Sequence, residues 1–599
     1  MKLFLRAFLL LGAFTFSQLS FAGLLEDAWK SFDNNERSAS KSLFKKALSS
    51  PTDKAEAYLG LALIDYKEGN DVGACQNFIS FYNLSEDPYP YLYALWSSGV
   101  LAGFQQKLTE ENAAFLNKVL KDPKANGTIK AMIYQQMGYD AFAKNRMDDY
   151  KPNFSAIKSI DKWQLVGVFD NVSGSGFDKD YPPVSQPSNT AVFEDKVKAK
   201  VKWFTLPQSR NDKWVDMSYS FDFSNSIIFG QTFVKSAEEQ DVYLRVGVSG
   251  SFKIWINDAL VAAESEERNT DMDVYSYKTH LSKGYNRILI QIGESEIDKS
   301  NFLVRITDEN ANPLEGLTIS AEPQPYIKQG TIKSEAIPLF AETFFEKKIQ
   351  QQPDKILNYY LLAETYLRND KVHEAKEVLF KARALAPNSE YVCRKLMESY
   401  SREGNTTDHS KEWENIKKID PDNILSITSL ISEAEKKENY DEMERLVNKM
   451  EKLYGRDERI IAYKIQIAGQ REKSEEIVRL AEEGYKKYPD VLGFVDSKAL
   501  IEREINQNLK GAIGIYEKYL KNNYSEDAKM SLSSLYFKNG SPDKGVKQYE
   551  GMLKEKPYAI GYIDDLVKYF TDVKFYDKAI SYSNQALQYA PYVGALWAN

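Results

Sequence analysis

Histidine and cysteine are scarce in this chain, with three of the first and two of the second in 599 residues. His280, His373 and His409 are far apart, and none has a partner at the His-x-x-x-His or Cys-x-x-Cys spacing of a metal site. Neither a metal nor a cofactor is therefore expected. A nucleophilic enzyme needs an activated Ser or Cys with a base and an orienting group. No Gly-x-Ser-x-Gly elbow and no Gly-x-x-x-x-Gly-Lys loop occurs, so no catalytic residue is assigned. Acidic pairs are plentiful among 86 carboxylates, but no catalytic barrel surrounds them. Two cysteines cannot build a disulfide framework, and Cys75 and Cys393 lie on apolar helix faces, where cysteine acts as a small hydrophobe.

Charge of one sign is also missing. The 78 Lys and Arg against 86 Asp and Glu leave a net −8, with both signs interspersed, so there is no basic footprint for nucleic acid. Long apolar runs are absent except at the start. A cationic Met1–Arg6, an apolar Ala7–Phe16 and the ending Ser20-Phe21-Ala22 form a secretory signal peptide at 1–22, with the cut expected after Ala22. Its apolar run is shorter than the roughly 20 residues that span a bilayer. No membrane span is expected after cleavage, and the mature chain is expected in the periplasm or outside the cell.

What the chain does have is an internal period. Tyr359, Leu362, Ala363, Tyr366, Ala375, Leu379, Ala382 and Pro387 place a large residue, a Leu-small pair and an aromatic on one helix. Two alanines, a large apolar residue and a stop follow on the next. Small residues at Ala363, Ala375 and Ala382 let antiparallel helices approach, while the large ones fill the space between units. The terminator returns about every 34 residues, at Pro421, Gly455, Pro489, Pro557 and Pro591, with Tyr524 one residue out of step. The pattern resembles the tetratricopeptide repeat family and predicts seven units over 353–591, preceded by a helix from about 335. Residues 23–150 carry weaker copies. Leu59, Tyr66, Ala74, Phe78 and Pro88 outline one, and Tyr134, Met137, Gly138 and Ala141 open another.

From Lys151 the helical period gives way to alternation. Val242–Val248 and Phe252–Ile256 alternate around Ser249-Gly250-Ser251, which reads as a hairpin turn. Asn286–Ile292 and Phe302–Ile306 read as further strands, and Phe221 and Phe223 as part of an earlier one. The expected architecture is mainly α with a β insert: two tetratricopeptide-type α-solenoid arrays (23–150 and 331–599) flanking a jelly-roll-like β-sandwich at 151–330. Trp255-x-Asn257-Asp258 and Leu281-x-x-Gly284-x-Asn286 are similar to the galactose-binding-like modules of glycoside hydrolases. The wider set Trp163-x-Leu165-Val166-Gly167-x-Phe169-Asp170-Asn171, Gly176-Phe177-Asp178, Tyr181-Pro182-Pro183 and Lys202-Trp203 resembles a module of bacterial envelope proteins. There it stands among tetratricopeptide repeats, often before a transglutaminase-like domain, for which this chain has no matching Cys, His and Asp.

Three functions follow as expectations. The first is a non-catalytic scaffold binding a protein or peptide on the concave repeat surface. The second is binding of an envelope glycan by the central module, with Trp255 as a stacking ring and Asn257, Arg268, Asp271 and Asp273 as hydroxyl partners. Trp255 between Ile254 and Ile256 fits a core ring equally, and the acidic loop Glu264–Asp273 fits a solvated turn. Asp271-x-Asp273 falls far short of a calcium ligand set. The third is the non-catalytic half of a longer enzyme, because Trp597 falls where an eighth repeat's first large residue is due and the sequence stops two residues later, at Asn599.

Overall fold

The computed structural model describes residues 23–106, 108–297, 299–594 and 596. Residues 1–22, expected as a signal peptide, and Trp597 lie outside the described residues. Among those residues, twenty-four α-helices flank a central antiparallel β region, and no helix is long and apolar enough to cross a membrane. The chain divides into two compact units that do not follow its linear order. One joins the residues up to Lys118 with Phe340–Gly484, and the other joins Val119–Leu339 with Tyr485–Asn599. Both units are assembled from distant stretches of sequence.

After 355 the helices form seven antiparallel pairs, from Ile356–Arg368 with Val372–Leu385 to Ile560–Asp572 with Tyr576–Tyr589, preceded by Phe340–Gln351. Ala363, Ala375 and Ala382 are fully buried where the first pair closes. Asparagine caps open several helices. The side chains of Asn405, Asn423, Asn439 and Asn508 accept from backbone N–H groups in the first turn, satisfying donors the helix leaves unpaired. The first helix of each pair ends on a left-handed residue: Asp370, Gly404, Glu438, Glu472, Gln507, Gly540 and Lys574. This second marker of the period was hidden in the sequence because only two of the seven are glycine. The one irregular step, at Gln507, has a local cause. Ile501–Ile505 is a π turn in which Asn506 N–H reaches Ile501 O at 3.0 Å. A π turn takes up one more residue than an α turn, which accounts for Tyr524 standing one residue out of step.

Before the β region, helices pair as Leu24–Asp33 with Arg37–Ala47, Lys54–Lys67 with Asp71–Leu84, and Gly127–Ala143 with Met147–Ala156. Leu59, Ala74 and Phe78 are buried between them. Cys75 and Cys393 are buried free thiols. Burial pushes each up to about 12, so neither is a thiolate at neutral pH.

The main strands of the β region are β1 (Gln164–Asp170), β2 (Ser226–Ser236), β3 (Gln240–Ile256), β4 (Ala259–Asn269), β5 (Tyr275–Leu281), β6 (Gly284–Glu294) and β7 (Asn301–Thr307). The expected turn at Ser249-Gly250-Ser251 is not one. β3 runs straight through it, with Gly250 at φ +127° where a Cβ would sit 2.5 Å from Gly293 O. The kink divides β3 between two ladders: its first half pairs with β5 and β7, its second with β6. Inward residues of both ladders, among them Val242, Val246, Ile254, Ile290 and Val304, form one core around Trp163. The turn that does reverse the chain is Asn257-Asp258, both left-handed, the geometry of a tight hairpin turn. Phe221 and Phe223 belong to the connection before β2 rather than to a strand.

Candidate functional site

In a helix pair, the face of the first helix turned away from its partner is the one left to bind something else. In the first unit that face is already occupied. Leu357, Tyr360, Glu364 and Leu367 of Ile356–Arg368 are at most 3% exposed, because the N-terminal helices pack onto them. Tyr360 donates to Asp33 at 2.6 Å, Tyr93 donates to Asn369 at 2.7 Å, and Arg368 lies over the Tyr93 ring at 4.4 Å. One pair further on, Arg37 forks onto both oxygens of Asp420 at 2.7 Å, and Lys67 faces Glu390 at 3.4 Å. Burial pulls the Lys67 ammonium down. Glu390 is held below its ordinary value against burial, by Arg394 first and then Lys67.

Asp33 lacks such compensation. Burial raises its carboxyl from 3.8 to about 7, against the Tyr360 hydroxyl and the more remote Lys67. A carboxyl raised on folding contributes its full stability below the unfolded value, near pH 3.8, and loses it as pH climbs through about 7. Asp33→Asn is therefore expected to stabilise the protein by on the order of 3 kcal/mol at pH 8 and by almost nothing at pH 3.5. Melting curves of the two forms at both pH values check this, and equal differences at the two would count against it.

In the second unit the corresponding face is open. Leu500 is 51% and Met530 39% exposed, and Asp496, Ser534, Asp564 and Lys568 face solvent. Between the helices Leu492–Leu500 and Glu526–Lys538 lies a groove of about 440 Å³ floored by Ala499 and Leu535. Ser531 and Ser534 stand on one wall, Asp496 and Arg503 on the other. Tyr516 donates to Asp496 at 2.7 Å, and burial, then the neighbouring Asp527, raises the Asp496 carboxyl. The π turn at 501–505 carries Arg503 into this groove. The β region contacts these helix pairs through their connecting turns instead. Asn211 donates to Glu555 O at 2.8 Å, Tyr219 meets Tyr558 at 4.8 Å between ring centres, and Tyr592 bonds the backbone of Lys202.

Paired antiparallel helices, all but one of 12–15 residues, with buried small residues at their crossing and six of the seven left-handed breaks on a 34-residue register, the seventh one residue off at the π turn, decide the architecture. The helices from 356 to 589 form an α-solenoid of tetratricopeptide type. No protein-family model and no curated protein matches this chain. Solved structures similar to it include a tetratricopeptide repeat protein from Parabacteroides merdae, at 14% identity, TM-score 0.28 and coverage of 37% of this chain and 86% of that one. PilF of Pseudomonas aeruginosa shares 14% identity, TM-score 0.28, over 36% of this chain and 99% of its own. Yeast Tom70 shares 13% identity, TM-score 0.31, over 97% and 94%.

The five residues singled out in the β module are not gathered into one site. Trp255 points to the face opposite the main core, as alternation requires, yet it is only 9% exposed. The long connection after β1 covers that face, packing Phe193, Val201 and Trp203 against Trp255, Phe229 and Leu289. Asn257 is buried in the hairpin turn, donating to Asn286 at 2.8 Å and accepting from Arg287 N–H at 3.0 Å. Arg268 is at the far end of β4, opposite Gly250, and pairs with Glu266. Asp271 is partly buried. Asp273 is fully buried, bonded to Arg305 and to Thr128. His280 is held by Asp241 and Glu239, His409 stacks on Trp413, and no group of three metal-ligating side chains occurs among the described residues.

Proposed function

We propose that this protein is a non-catalytic interaction scaffold that holds a segment of a protein partner along the open first-helix face of its last three tetratricopeptide repeats. The observation that carries the reading is the contrast between the two units. The same repeat face is filled by the chain's own helices at 356–402, but at 492–572 it presents exposed Leu500 and Met530 beside Ser531, Ser534 and Asp496. Apolar contacts would supply affinity there, and the hydroxyls and carboxylate would fix a peptide backbone. His280, His373 and His409 each meet a neighbouring side chain, and both thiols are buried. With residues 1–22 read as an export signal, the encounter is proposed for the periplasm or beyond.

The test is selection of peptides on the full chain from a display library, followed by titration into wild type and a Leu500→Glu, Met530→Glu double variant. Both positions are exposed, so folding should change by no more than about 0.5 kcal/mol per site. Binding is expected to weaken at least about tenfold, some 1.4 kcal/mol. Peptides that bind both forms equally, or no peptide tighter than about 1 mM, would exclude this surface.

A further inference from the structure

A second concavity lies in the first unit, away from the repeat face just described. The helix Leu24–Asp33, the turn before Ile356 and the turn after Leu385 enclose a cleft of about 810 Å³, within the size range of small-molecule sites. Its walls are apolar at Leu25, Ile356, Leu357 and the 44%-exposed Leu385. Four carboxylates line it, Glu26, Asp33, Glu56 and Asp354, against two ammonium groups, Lys30 and Lys355. Lys355 is already used, since it is paired with Glu56, which also accepts from the Trp29 indole at 2.8 Å. Asp33 is different. One of its oxygens accepts from the neutral Tyr360 hydroxyl, and among the described residues no cation bonds the other.

We infer that the cleft binds a primary alkylammonium group, with its hydrocarbon stem along Leu25, Ile356 and Leu385 and its charge on the Asp33 carboxylate. No cation among the described residues bonds the partly buried Asp33 carboxylate, and an opposite charge within a few ångströms is what stabilises such a group. An anionic ligand is disfavoured because the lining is already in carboxylate excess. The remaining groups around Asp33 are Tyr360 and Ser389 from the repeat side, Lys67 from Lys54–Lys67 and Lys30 on its own helix. Lys67 is committed to Glu390, and Lys30 is exposed at the cleft mouth. With its carboxyl titrating near neutrality, binding of a cation expels a proton at slightly acidic pH. The ammonium belongs either to a free amine or to a lysine side chain of a peptide, and the stem and charge are common to both.

The experiment titrates hexylamine, hexanol and hexanoate into the full chain at pH 6.5 by calorimetry in two buffers of different ionisation enthalpy. A doubly blocked Leu-Lys-Leu peptide serves as competitor. Saturable binding of hexylamine alone, with proton release, is expected, and Asp33→Asn should weaken it at least about tenfold while keeping the wild-type circular dichroism. Asn preserves the Tyr360 hydrogen bond and removes only the charge, so the variant should fold. Competition by the peptide assigns a lysine side chain; its failure assigns a free amine. Equal binding of hexanol or hexanoate, no saturation by hexylamine, or unchanged affinity in Asp33→Asn overturns the inference. None of these outcomes depends on the groove at 492–538.

Discussion

Asp273→Ala is expected to lower the stability of the unit that holds the β region by about 3–5 kcal/mol, without an intermediate loss of any binding activity. Asp273 and Arg305 are both almost wholly buried and face each other as an ion pair. Arg305 also donates to Ile157 O at 3.0 Å and Ala311 O at 3.1 Å, and Thr128 donates to Asp273 at 2.8 Å. The Asp273–Arg305 pair thus ties the stretches around Thr128, Ile157 and Ala311 to β7. Removing it leaves a guanidinium in the interior with no counter-charge, beside Arg245, whose charge burial already opposes. The cost is that of an uncompensated buried ion, which exceeds the net worth of the pair. Denaturant unfolding followed by tryptophan emission measures it, and a loss below about 1 kcal/mol would mean that Asp273 is a surface-type ligand residue after all.

Glu390→Ala should cost a similar amount, about 3–5 kcal/mol, in the other unit. Glu390 is fully buried and accepts from Arg394 at 2.7 Å while facing Lys67 at 3.4 Å. Without it two buried cations repel each other across the seam where Lys54–Lys67 meets Glu390–Arg402. The first response should be release of the N-terminal helices, so trypsin should cut at Lys41, Lys45 and Lys46 well before the repeats unfold. Simultaneous digestion of the whole unit, or no change in digestion rate, would refute that order. A Lys67→Met, Glu390→Gln double variant should recover part of the loss, because it leaves a single cation beside a neutral hydrogen-bond partner.

The repeats were legible because their signal is local and recurs: Pro387, Pro421, Pro489, Pro557 and Pro591 end helices wherever they stand. The strands β6 and β7 were legible for the same reason, through alternation. The hairpin at Ser249-Gly250-Ser251 was misread because small residues at a kink and small residues in a turn look alike; what separates them is the pairing of Ser251 with Gly293, 42 residues on. Trp255 was ambiguous because alternation puts it on the outer face of its sheet and says nothing about the covering connection at 171–205. The filling of the repeat face in the first unit left one trace that was not used. Ile356–Arg368 is apolar or aromatic nearly all round, with Tyr360 and Leu361 added to the positions the repeat requires, and a helix of that kind has neighbours on every side.

The seam between the N-terminal helices and the repeats also sets an order in time. Arg37 and Asp420 are 383 residues apart, and at about 5–20 residues per second a ribosome needs roughly 20–80 s to deliver the second after the first. For that interval Tyr66, Lys67 and Phe32 have none of the surface they are built to cover, so the first hundred residues emerge as a segment waiting for a template. Neither unit can be finished until most of the chain exists, which is unfavourable for folding during synthesis.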